Sequence, residues 1–288
     1  MKYAMEPIVF LNNQYLPISQ AFISVMDRGF LLADSIYDGV MVYNGKPFHA
    51  QKHIDRLRRN LEKIEIQLTQ SDDFLLNVIN ELITRNAQHT EQTFYIQVSR
   101  GVSSDRSHHY QEKIEPTLFA KLSPTSKKDL HLGIKAITTD DIRWQHCEIK
   151  CSNRLANVIM SQEAHNAGAE EAIIINHGHA VEGATSNVFI VEQGKIYTPP
   201  LSNQVLDGIT RGLVCTLCSH HATLIEEPIT RERLLKADEV WISSSSRKIA
   251  PVVHIDKTII GDGKPGAVYQ AILKAYDAEI SSIIAGDS

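Results

Sequence analysis

The residue with the greatest chemical potential is Lys150, which lies in the segment D-I-R-W-Q-H-C-E-I-K-C-S-N-R-L-A-N at 141–157. Apolar residues in this segment first alternate and then recur at helical spacing, at Leu155, Val158 and Ile159, so we predict that a strand gives way to an amphipathic helix near Lys150. A deprotonated lysine amine attacks an aldehyde to form a Schiff base. Taken alone, a lysine at a strand end is usually a solvated surface residue. Lys150 is therefore a candidate nucleophile only if other segments supply a matching site.

Three further segments carry hydroxyl, amide or carboxyl side chains, the first two together with a glycine: V-E-G-A-T-S-N-V-F at 181–189, L-D-G-I-T-R at 206–211, and the serine run at 243–246. Glu182, by itself, could be a solvated residue of a hairpin. The second segment predicts a glycine turn that enters a helix, and the amides at a helix start bind a phosphate dianion. Serine hydroxyls after a strand would add donors to the phosphate. With Lys150, these segments predict a pocket for a phosphorylated aromatic aldehyde.

The elements that must position these residues follow from periodicity and turn signals. The first half predicts a hairpin over 7–18 turning at Asn12-Asn13, strands at 40–43, 94–98 and 118–121, a turn at Asn44-Gly45, and helices at 50–66 and 72–86. The second half predicts strands at 132–137, 172–175, 188–191, 195–197, 239–243 and 252–255, turns at His177-Gly178 and Gln193-Gly194, and helices at 153–167, 208–221, 229–236 and 266–281. The polar, proline-bearing stretch between them predicts a linker at 122–129, with domains at 1–121 and 130–288.

Composition limits the classes of partner. The chain of 288 residues is 43% hydrophobic and 22% charged, as in an ordinary globular protein of about two domains. A net charge of −5 argues against nucleic acid or an anionic membrane as partner. The N-terminus has no long apolar run ending in a cleavage site, and no run reaches membrane-spanning length, so we expect a cytoplasmic protein.

Cys215 and Cys218, followed by His220 and His221, could be half of a zinc site or a redox pair. We interpret them as core residues of a helix, because they lie in an apolar helical pattern and no second matching pair exists. We therefore expect no metal.

Taken together, the motifs resemble the fold-type-IV class of pyridoxal-phosphate enzymes. The resemblance is carried by the lysine segment, the E-G-A-T-S-N run, the L-D-G-I-T-R turn, the serine run with I-A-P-V at 249–252, and the N-terminal D-R-G at 27–29 and H-I-D-R-L at 53–57. These motifs span essentially the whole chain in the family's order. The resemblance implies an α/β (α+β) fold of two domains, similar to D-amino acid aminotransferase: a small N-terminal α/β domain and a larger, β-rich pseudo-barrel domain with helices.

The resemblance also implies a role for each motif residue toward pyridoxal 5'-phosphate. Lys150 corresponds to the lysine that forms the Schiff base and then moves the substrate proton, and Glu182 to the carboxylate that keeps the pyridine nitrogen protonated. The remaining cofactor contacts would be Arg56, Ile209, Thr210 and Ser245 at the phosphate and Leu206 under the ring. Tyr37 corresponds to a tyrosine near the Schiff base and the substrate carboxylate; without the family it would be a half-buried strand aromatic.

The loop at 105–108 indicates which member of the family is present. An Arg-x-His pattern, here Arg106 and His108, is what D-amino acid aminotransferases use to hold the substrate α-carboxylate from the partner subunit, by charge-assisted hydrogen bonds. Counted from Arg100, this loop is one residue longer than the family pattern, and His109 offers a second donor. The resemblance therefore implies a homodimer that transfers the amino group of D-alanine to 2-oxoglutarate by a ping-pong mechanism.

Three alternatives stay open at the level of sequence. A branched-chain L-amino acid aminotransferase would use the same lysine and should lack the Arg-x-His pattern. An aminodeoxychorismate lyase would share the cofactor site. A pyridoxal-phosphate-binding protein without activity would keep Lys150, but the presence of Tyr37, Arg106 and His108 argues against it.

Overall fold

The structure is a computed structural model and describes residues 6–86, 89–110, 113–125 and 130–286. These residues form two compact units. Unit 1 contains 6–125 together with Ile149–Asn153, and unit 2 contains 130–148 together with 154–286. Both units mix helices and sheet, and the predicted two-part α/β fold is confirmed.

Unit 1 is built on one sheet and three α-helices. Its elements are β1 (Ile8–Leu11), β2 (Gln14–Pro17), a 3-10 turn (Ile18–Gln20), α1 (Arg28–Leu32), β3 (Ser35–Tyr43), β4 (Lys46–Pro47), α2 (Ala50–Lys63), α3 (Asp72–Arg85), β5 (Glu91–Ser99) and β6 (Thr117–Pro124).

The unit 1 sheet is antiparallel, with strand order β2-β1-β6-β5-β3-β4. Side chains alternate between its faces: Phe94, Ile96 and Val98 of β5 are buried, whereas the residues between them are partly exposed. The buried face packs with α2 and α3, whose apolar stripes include Leu57 and Leu82. The second face of β3 and β5 therefore carries side chains that are available for a site.

Unit 2 is larger and contains β7 (Ile134–Asp140), α4 (Leu155–Asn166), β8 (Glu171–Asn176), β9 (His179–Gly183), β10 (Asn187–Glu192), β11 (Lys195–Thr198), α5 (Ile209–His221), β12 (Leu224–Glu226), β13 (Ile229–Thr230), α6 (Arg231–Lys236), β14 (Glu239–Ser244), β15 (Lys248–Ile255), β16 (Thr258–Ile259) and α7 (Ala267–Ala285). Its sheet runs β12-β11-β10-β14-β15-β7-β8-β9-β13, and β16 pairs with β15. The pairs β7/β8, β7/β15 and β11/β12 are parallel and the others are antiparallel. Helices α5 and α7 pack on each other and on β14.

The four predicted two-residue turns are confirmed. Both residues of each turn have positive φ: Asn12-Asn13 (46° and 66°), Asn44-Gly45 (48° and 78°), His177-Gly178 (47° and 81°) and Gln193-Gly194 (50° and 74°). Positive φ at both positions is the geometry whose twist matches that of the flanking strands, and Asn and Gly adopt it at low cost.

Two details differ from the predicted domain boundaries. Strand β6 continues through Pro124 by pairing with β5, so 122–124 of the predicted linker belong to the sheet, and 126–129 lie outside the described residues. The segment Ile149–Asn153, which contains Lys150, groups with unit 1 rather than with the second half of the chain.

The predicted strand-to-helix transition at Lys150 is wrong in detail. Strand β7 ends at Asp140, and 141–154 form no strand before α4 begins, because the Asp141 carboxylate accepts hydrogen bonds from the Arg143 amide (3.0 Å) and guanidinium and turns the chain.

The apolar residues that predicted an amphipathic helix here, Leu155, Val158 and Ile159, are exposed on α4. The helix instead buries the neighbouring stripe that includes Met160 and Ala164. Because α4 carries two apolar stripes, periodicity alone did not indicate which one packs in the core of its own unit.

Within the residues that the structure describes, no helix is both long and apolar enough to cross a membrane. The same residues contain no group of three His, Cys, Asp or Glu side chains arranged to hold a metal ion. Cys218 is fully buried in α5.

Candidate active site

The main chain around Lys150 is fixed against strand β3. The Tyr37 amide donates to the Lys150 carbonyl (3.0 Å), and the Ser152 amide donates to the Ser35 carbonyl (3.0 Å). The hydroxyls of Ser35 and Ser152 also bond each other, and Gln97 of β5 donates to Ser35 Oγ (3.0 Å). These bonds fix the irregular segment around Lys150 to the edge of strand β3.

The Lys150 amine lies beside an aromatic pair on the open face of the sheet. Its Nζ is 4.6 Å from the centre of the Tyr37 ring, and the Tyr37 and Tyr95 rings stack with centres 5.7 Å apart. Burial, together with Tyr37, raises the pKa of Tyr95 to about 12. Both Lys150 and Tyr37 are half-buried. The structure therefore brings two of the predicted site residues together.

Arg56 is held by Asp38, a residue that the sequence analysis did not identify. Arg56 donates through Nε to Asp38 Oδ2 and through Nη2 to Oδ1, both at 2.8 Å, and His53 Nδ1 lies 2.7 Å from Oδ1. All three side chains are buried. A planar guanidinium bonded by two nitrogens to one carboxylate has a fixed orientation. The signal in the sequence was an aspartate at an inward position of an otherwise apolar strand.

The charges of this triad follow from burial and pairing. Burial would raise the pKa of the Asp38 carboxyl, but Arg56 and His53 outweigh it and hold that pKa well below its usual range. Burial lowers the pKa of His53, against the opposing effect of Asp38. At neutral pH the triad is thus an aspartate, an arginine and a neutral histidine.

In unit 2, Glu182 of β9 is buried, contrary to its simplest interpretation as a solvated hairpin residue. Its carboxylate accepts hydrogen bonds from the Arg143 guanidinium, the Leu206 amide (3.0 Å) and Asn187 Nδ2 (3.5 Å). Burial raises the pKa of Glu182, and Arg143 and the Leu206 amide oppose that shift. Arg143 also bonds Asp141 through Nε and Nη2, both at 2.9 Å. Sequence reasoning missed Arg143, and its only signal was the Asp-x-Arg spacing at 141–143.

Leu206 leads directly into the helix start that the sequence predicted. Gly208 is the N-cap of α5, and a Cβ at this position would lie 2.2 Å from Asn187 Oδ1, so glycine permits the close approach. The Gly212 amide makes the first hydrogen bond back to the Gly208 carbonyl. The amides of Ile209 and Thr210 precede it, so α5 itself supplies no acceptor for them.

The serine run ends strand β14 and forms the turn into β15, where Ser245 lies. Ser243 Oγ is buried and has no hydrogen-bond partner among the described residues. Glu171 ties this turn to the E-G-A-T-S-N turn, since its carboxylate accepts from Arg247 Nη1 (2.9 Å) and from Ser186 Oγ (2.8 Å).

Arg106 and His108 are exposed in unit 1, and the structure shows no side-chain hydrogen bond or ion pair from either to a described residue. The structure thus groups Lys150 with Tyr37, fixes Arg56 on Asp38, and groups Glu182 with Leu206 near the start of α5. It leaves the two loop residues at the surface.

Comparison with known proteins identifies the family. Residues 35–255 match the family described as amino-transferase class IV, and the chain belongs to this family. It is an aminotransferase.

Its relatives include an enzyme named D-alanine aminotransferase from Bacillus licheniformis, which is 37% identical over 277 residues, covering 95% of this chain and 97% of the relative. Another enzyme with the same name, from Staphylococcus haemolyticus, is 37% identical over 279 residues, covering 95% of this chain and 98% of the relative. The fold resembles an Escherichia coli branched-chain amino acid aminotransferase (TM-score 0.88, 24% identity, covering 95% of this chain and 94% of that chain). It also resembles a putative 4-amino-4-deoxychorismate lyase from Legionella pneumophila (TM-score 0.83, 21% identity, covering 91% and 97%).

Proposed function

We propose that this chain transfers the amino group of D-amino acids to 2-oxo acids with pyridoxal 5'-phosphate, D-alanine and 2-oxoglutarate giving pyruvate and D-glutamate. The observation that carries the proposal is the 37% identity, over 95% of the chain, to enzymes named D-alanine aminotransferase. The exposed Arg106 and His108 at alternate positions support it, because a guanidinium and an imidazole together suit a carboxylate.

The residues present fit the chemistry of pyridoxal phosphate. Such a group needs an amine for its aldehyde, donors for a phosphate dianion and an anion for its ring nitrogen. The half-buried Lys150 supplies the amine and the buried Glu182 the anion. The Ile209 and Thr210 amides and the unpartnered buried hydroxyl of Ser243 add donors of the type a phosphate requires.

We assign the following roles to these residues. When bound, the cofactor supplies an aldehyde for amine exchange and a ring that accepts electrons. Lys150 Nζ would hold the cofactor and carry the proton taken from the substrate α-carbon, and Tyr37 would orient that amine. Glu182, kept in place by Arg143, would hold a proton on the ring nitrogen. The phosphate would be held by Arg56, Ile209, Thr210 and Ser245, and Leu206 would support the ring.

Arg106 and His108 would bind the substrate carboxylate from the partner subunit, so we propose a homodimer. Exposed apolar side chains in unit 1 support a second copy as the partner: Phe22 is 79%, Val25 71% and Phe30 67% exposed. Ile23 and Phe30 also line an open cavity of about 400 Å³. Sedimentation of the wild type and Phe30→Asp tests the assembly: we expect a dimer for the wild type and a monomer for the variant, and a monomeric wild type contradicts the proposal.

The cytoplasmic location stays a prediction.

The decisive assay compares pyruvate release from D-alanine and L-alanine with 2-oxoglutarate as acceptor. We expect turnover with D-alanine only. L-leucine as the better donor would indicate a branched-chain enzyme, and release of pyruvate from aminodeoxychorismate without an acceptor would indicate a lyase.

Lys150→Ala should fold, lose the visible absorption of the lysine-bound cofactor, and lose turnover by at least about a thousandfold, since the group that moves the proton is gone. Absorption spectra and the pyruvate assay measure both effects. Retained transamination would contradict the assignment of Lys150.

Arg106→Leu should raise KM for D-alanine by about a hundredfold with unchanged cofactor absorption, since a charge-assisted bond to the carboxylate is lost. Arg106→Lys keeps the charge but lacks the planar fork, so its KM for D-alanine should lie between those of the wild type and Arg106→Leu. Arg85→Leu, at an exposed arginine of the same unit, is the matched control. Separate His108→Leu and His109→Leu variants identify the second donor. Wild-type kinetics in Arg106→Leu would exclude the carboxylate role.

A further inference from the structure

The main chain of the Arg106 loop is held by a buried arginine outside it. Arg28, at the start of α1, is 3% exposed, and its guanidinium donates to three consecutive carbonyls: Ser107 (2.7 Å), His108 (3.4 Å) and His109 (3.4 Å). Its Nε donates to Asp34 Oδ2 (2.8 Å). Arg28 thus carries its charge into the protein interior and directs its donors at one loop.

A second arginine supports the end of the same loop. Arg100 also bonds Asp34, through Nε to Oδ2 (2.8 Å) and Nη2 to Oδ1 (3.1 Å), and its guanidinium lies 3.7 Å from the centre of the Tyr110 ring. The Tyr110 hydroxyl donates to Glu65 (2.6 Å). One carboxylate therefore orients two guanidinium groups, and each of them contacts the 107–110 segment.

The loop needs such support because it has no strand partner of its own. Beyond Ser103, whose amide donates to the Met26 carbonyl (3.2 Å), the described residues before strand β6 make no sheet pairing, and the bonds within the loop are short-range turns such as Ser107 N–H to Asp105. A segment without long-range bonds samples many backbone conformations. The guanidinium of Arg28 removes that freedom on both sides of His108 and directly after Arg106.

We propose that Arg28 is a positioning residue for substrate carboxylate recognition: by holding the carbonyls of 107–109, it fixes how Arg106 and His108 are presented. This inference rests on the proposed function, in which Arg106 and His108 bind the carboxylate. Arg28 itself, enclosed beneath the loop main chain, contacts no substrate. Its effect is on binding and not on the proton transfer at Lys150.

The principal test is Arg28→Lys, which keeps one charge for Asp34 and removes the planar fork that reaches three carbonyls. We expect KM for D-alanine to rise about tenfold, kcat to change less than about threefold, and cofactor absorption to stay unchanged. The matched control is Arg58→Lys, because Arg58 likewise bonds one aspartate, Asp72, and two loop carbonyls, those of Leu68 and Gln70. An unchanged KM in Arg28→Lys overturns the proposal.

A double-mutant cycle separates positioning from general destabilisation. If Arg28 acts through Arg106 and His108, then Arg28→Lys in a background that carries both Arg106→Leu and His108→Leu should raise KM by less than about twofold. A full tenfold effect in that background would show that Arg28 acts independently of both residues, and the proposal would be wrong.

Trypsin cleavage after Arg106 gives a readout that does not depend on activity. Releasing the loop carbonyls should speed cleavage at this bond at least about fivefold in Arg28→Lys and leave it unchanged in Arg58→Lys. If D-alanine is no substrate of the wild type but cleavage still accelerates, the proposed function fails while the anchoring of the loop stands. If D-alanine is a substrate and neither cleavage nor KM responds, the role of Arg28 fails alone.

Tyr110→Ala provides a second variant should Arg28→Lys fail to fold, because Tyr110 is exposed and its removal leaves the core intact. Loss of its contacts with Arg100 and Glu65 should raise KM for D-alanine about threefold and speed cleavage after Arg106. A wild-type KM and a wild-type cleavage rate in Tyr110→Ala would contradict the support of the loop by Arg100 and Tyr110.

Discussion

Replacing Arg143 by methionine tests whether the Arg143 guanidinium keeps the buried Glu182 carboxylate charged. The side chains of Arg143, Asp141 and Glu182 are only 3%, 6% and 7% exposed. Methionine fills much of the volume but leaves two buried carboxylates without their cation. Removing one partner of a buried ion pair costs roughly 3–5 kcal/mol.

Protonation limits this cost and makes it depend on pH. A glutamate with an unfolded pKa of about 4.3 can be held protonated at pH 6 for about 2.3 kcal/mol and at pH 8 for about 5 kcal/mol. Burial already raises the pKa of Glu182, and loss of Arg143 would raise it further. A raised folded-state pKa means that stability is present at low pH and is lost as pH rises through that pKa. We therefore expect Arg143→Met to lose roughly 2 kcal/mol at pH 6 and roughly 4 kcal/mol at pH 8.

Urea unfolding followed by tryptophan fluorescence measures this loss in unit 2, because the only two tryptophans, Trp144 and Trp241, both belong to it. With a slope of about 2 kcal/mol per molar, the urea midpoint should fall by about 1 M at pH 6 and about 2 M at pH 8. Arg231→Met, which breaks an exposed pair with Asp256, is the control and should change stability by less than about 1 kcal/mol.

The double variant Arg143→Met with Glu182→Gln should recover about half of the loss at pH 8, since a neutral amide replaces the unpaired charge. A midpoint that shifts equally at both pH values, or no recovery in the double variant, would falsify the electrostatic account and leave lost packing as the cause.

Two further predictions concern His53 and Gly208. Because burial lowers the pKa of His53, the unfolded chain binds its proton first, so wild-type stability should fall as pH drops below about 6.5. A second fall should begin below about 4, where Asp38 takes up a proton in the unfolded chain but not in the folded protein, since folding lowers its pKa. Thermal melts of His53→Gln should lack the fall that His53 causes between pH 6.5 and 5, and an unchanged slope there would contradict the assignment. Gly208→Ala should weaken pyridoxal phosphate binding about tenfold in an absorbance titration, because the new Cβ displaces Asn187; wild-type affinity would show that the close approach is unimportant.

Much of the fold followed from local sequence, and the errors occurred where packing decided the outcome. The turns at Asn12-Asn13 and Asn44-Gly45 were predicted because positive φ depends on the residues themselves. The buried face of α4 could not be predicted because Leu155 and Met160 are similarly apolar, and only the neighbouring strand β8 determines which of them is buried.

Candidate residues of the site divide in the same way. Lys150 and Glu182 were predicted because their flanking motifs are contiguous in the chain. Asp38 and Arg143 were missed, since each acts on a residue that is distant in sequence, Arg56 and Glu182 respectively.

The amino-acid sequence by itself determined the family and the order of most elements, and it supplied the candidate site residues, because these depend on local patterns and on motifs that keep their order. Only the tertiary structure decided which buried charges are paired and in which direction their pKa values move. The same holds for the loop of Arg106 and its anchor Arg28, which are 78 residues apart in the chain. Pairing and burial depend on neighbours that folding brings together, and no local pattern records those neighbours.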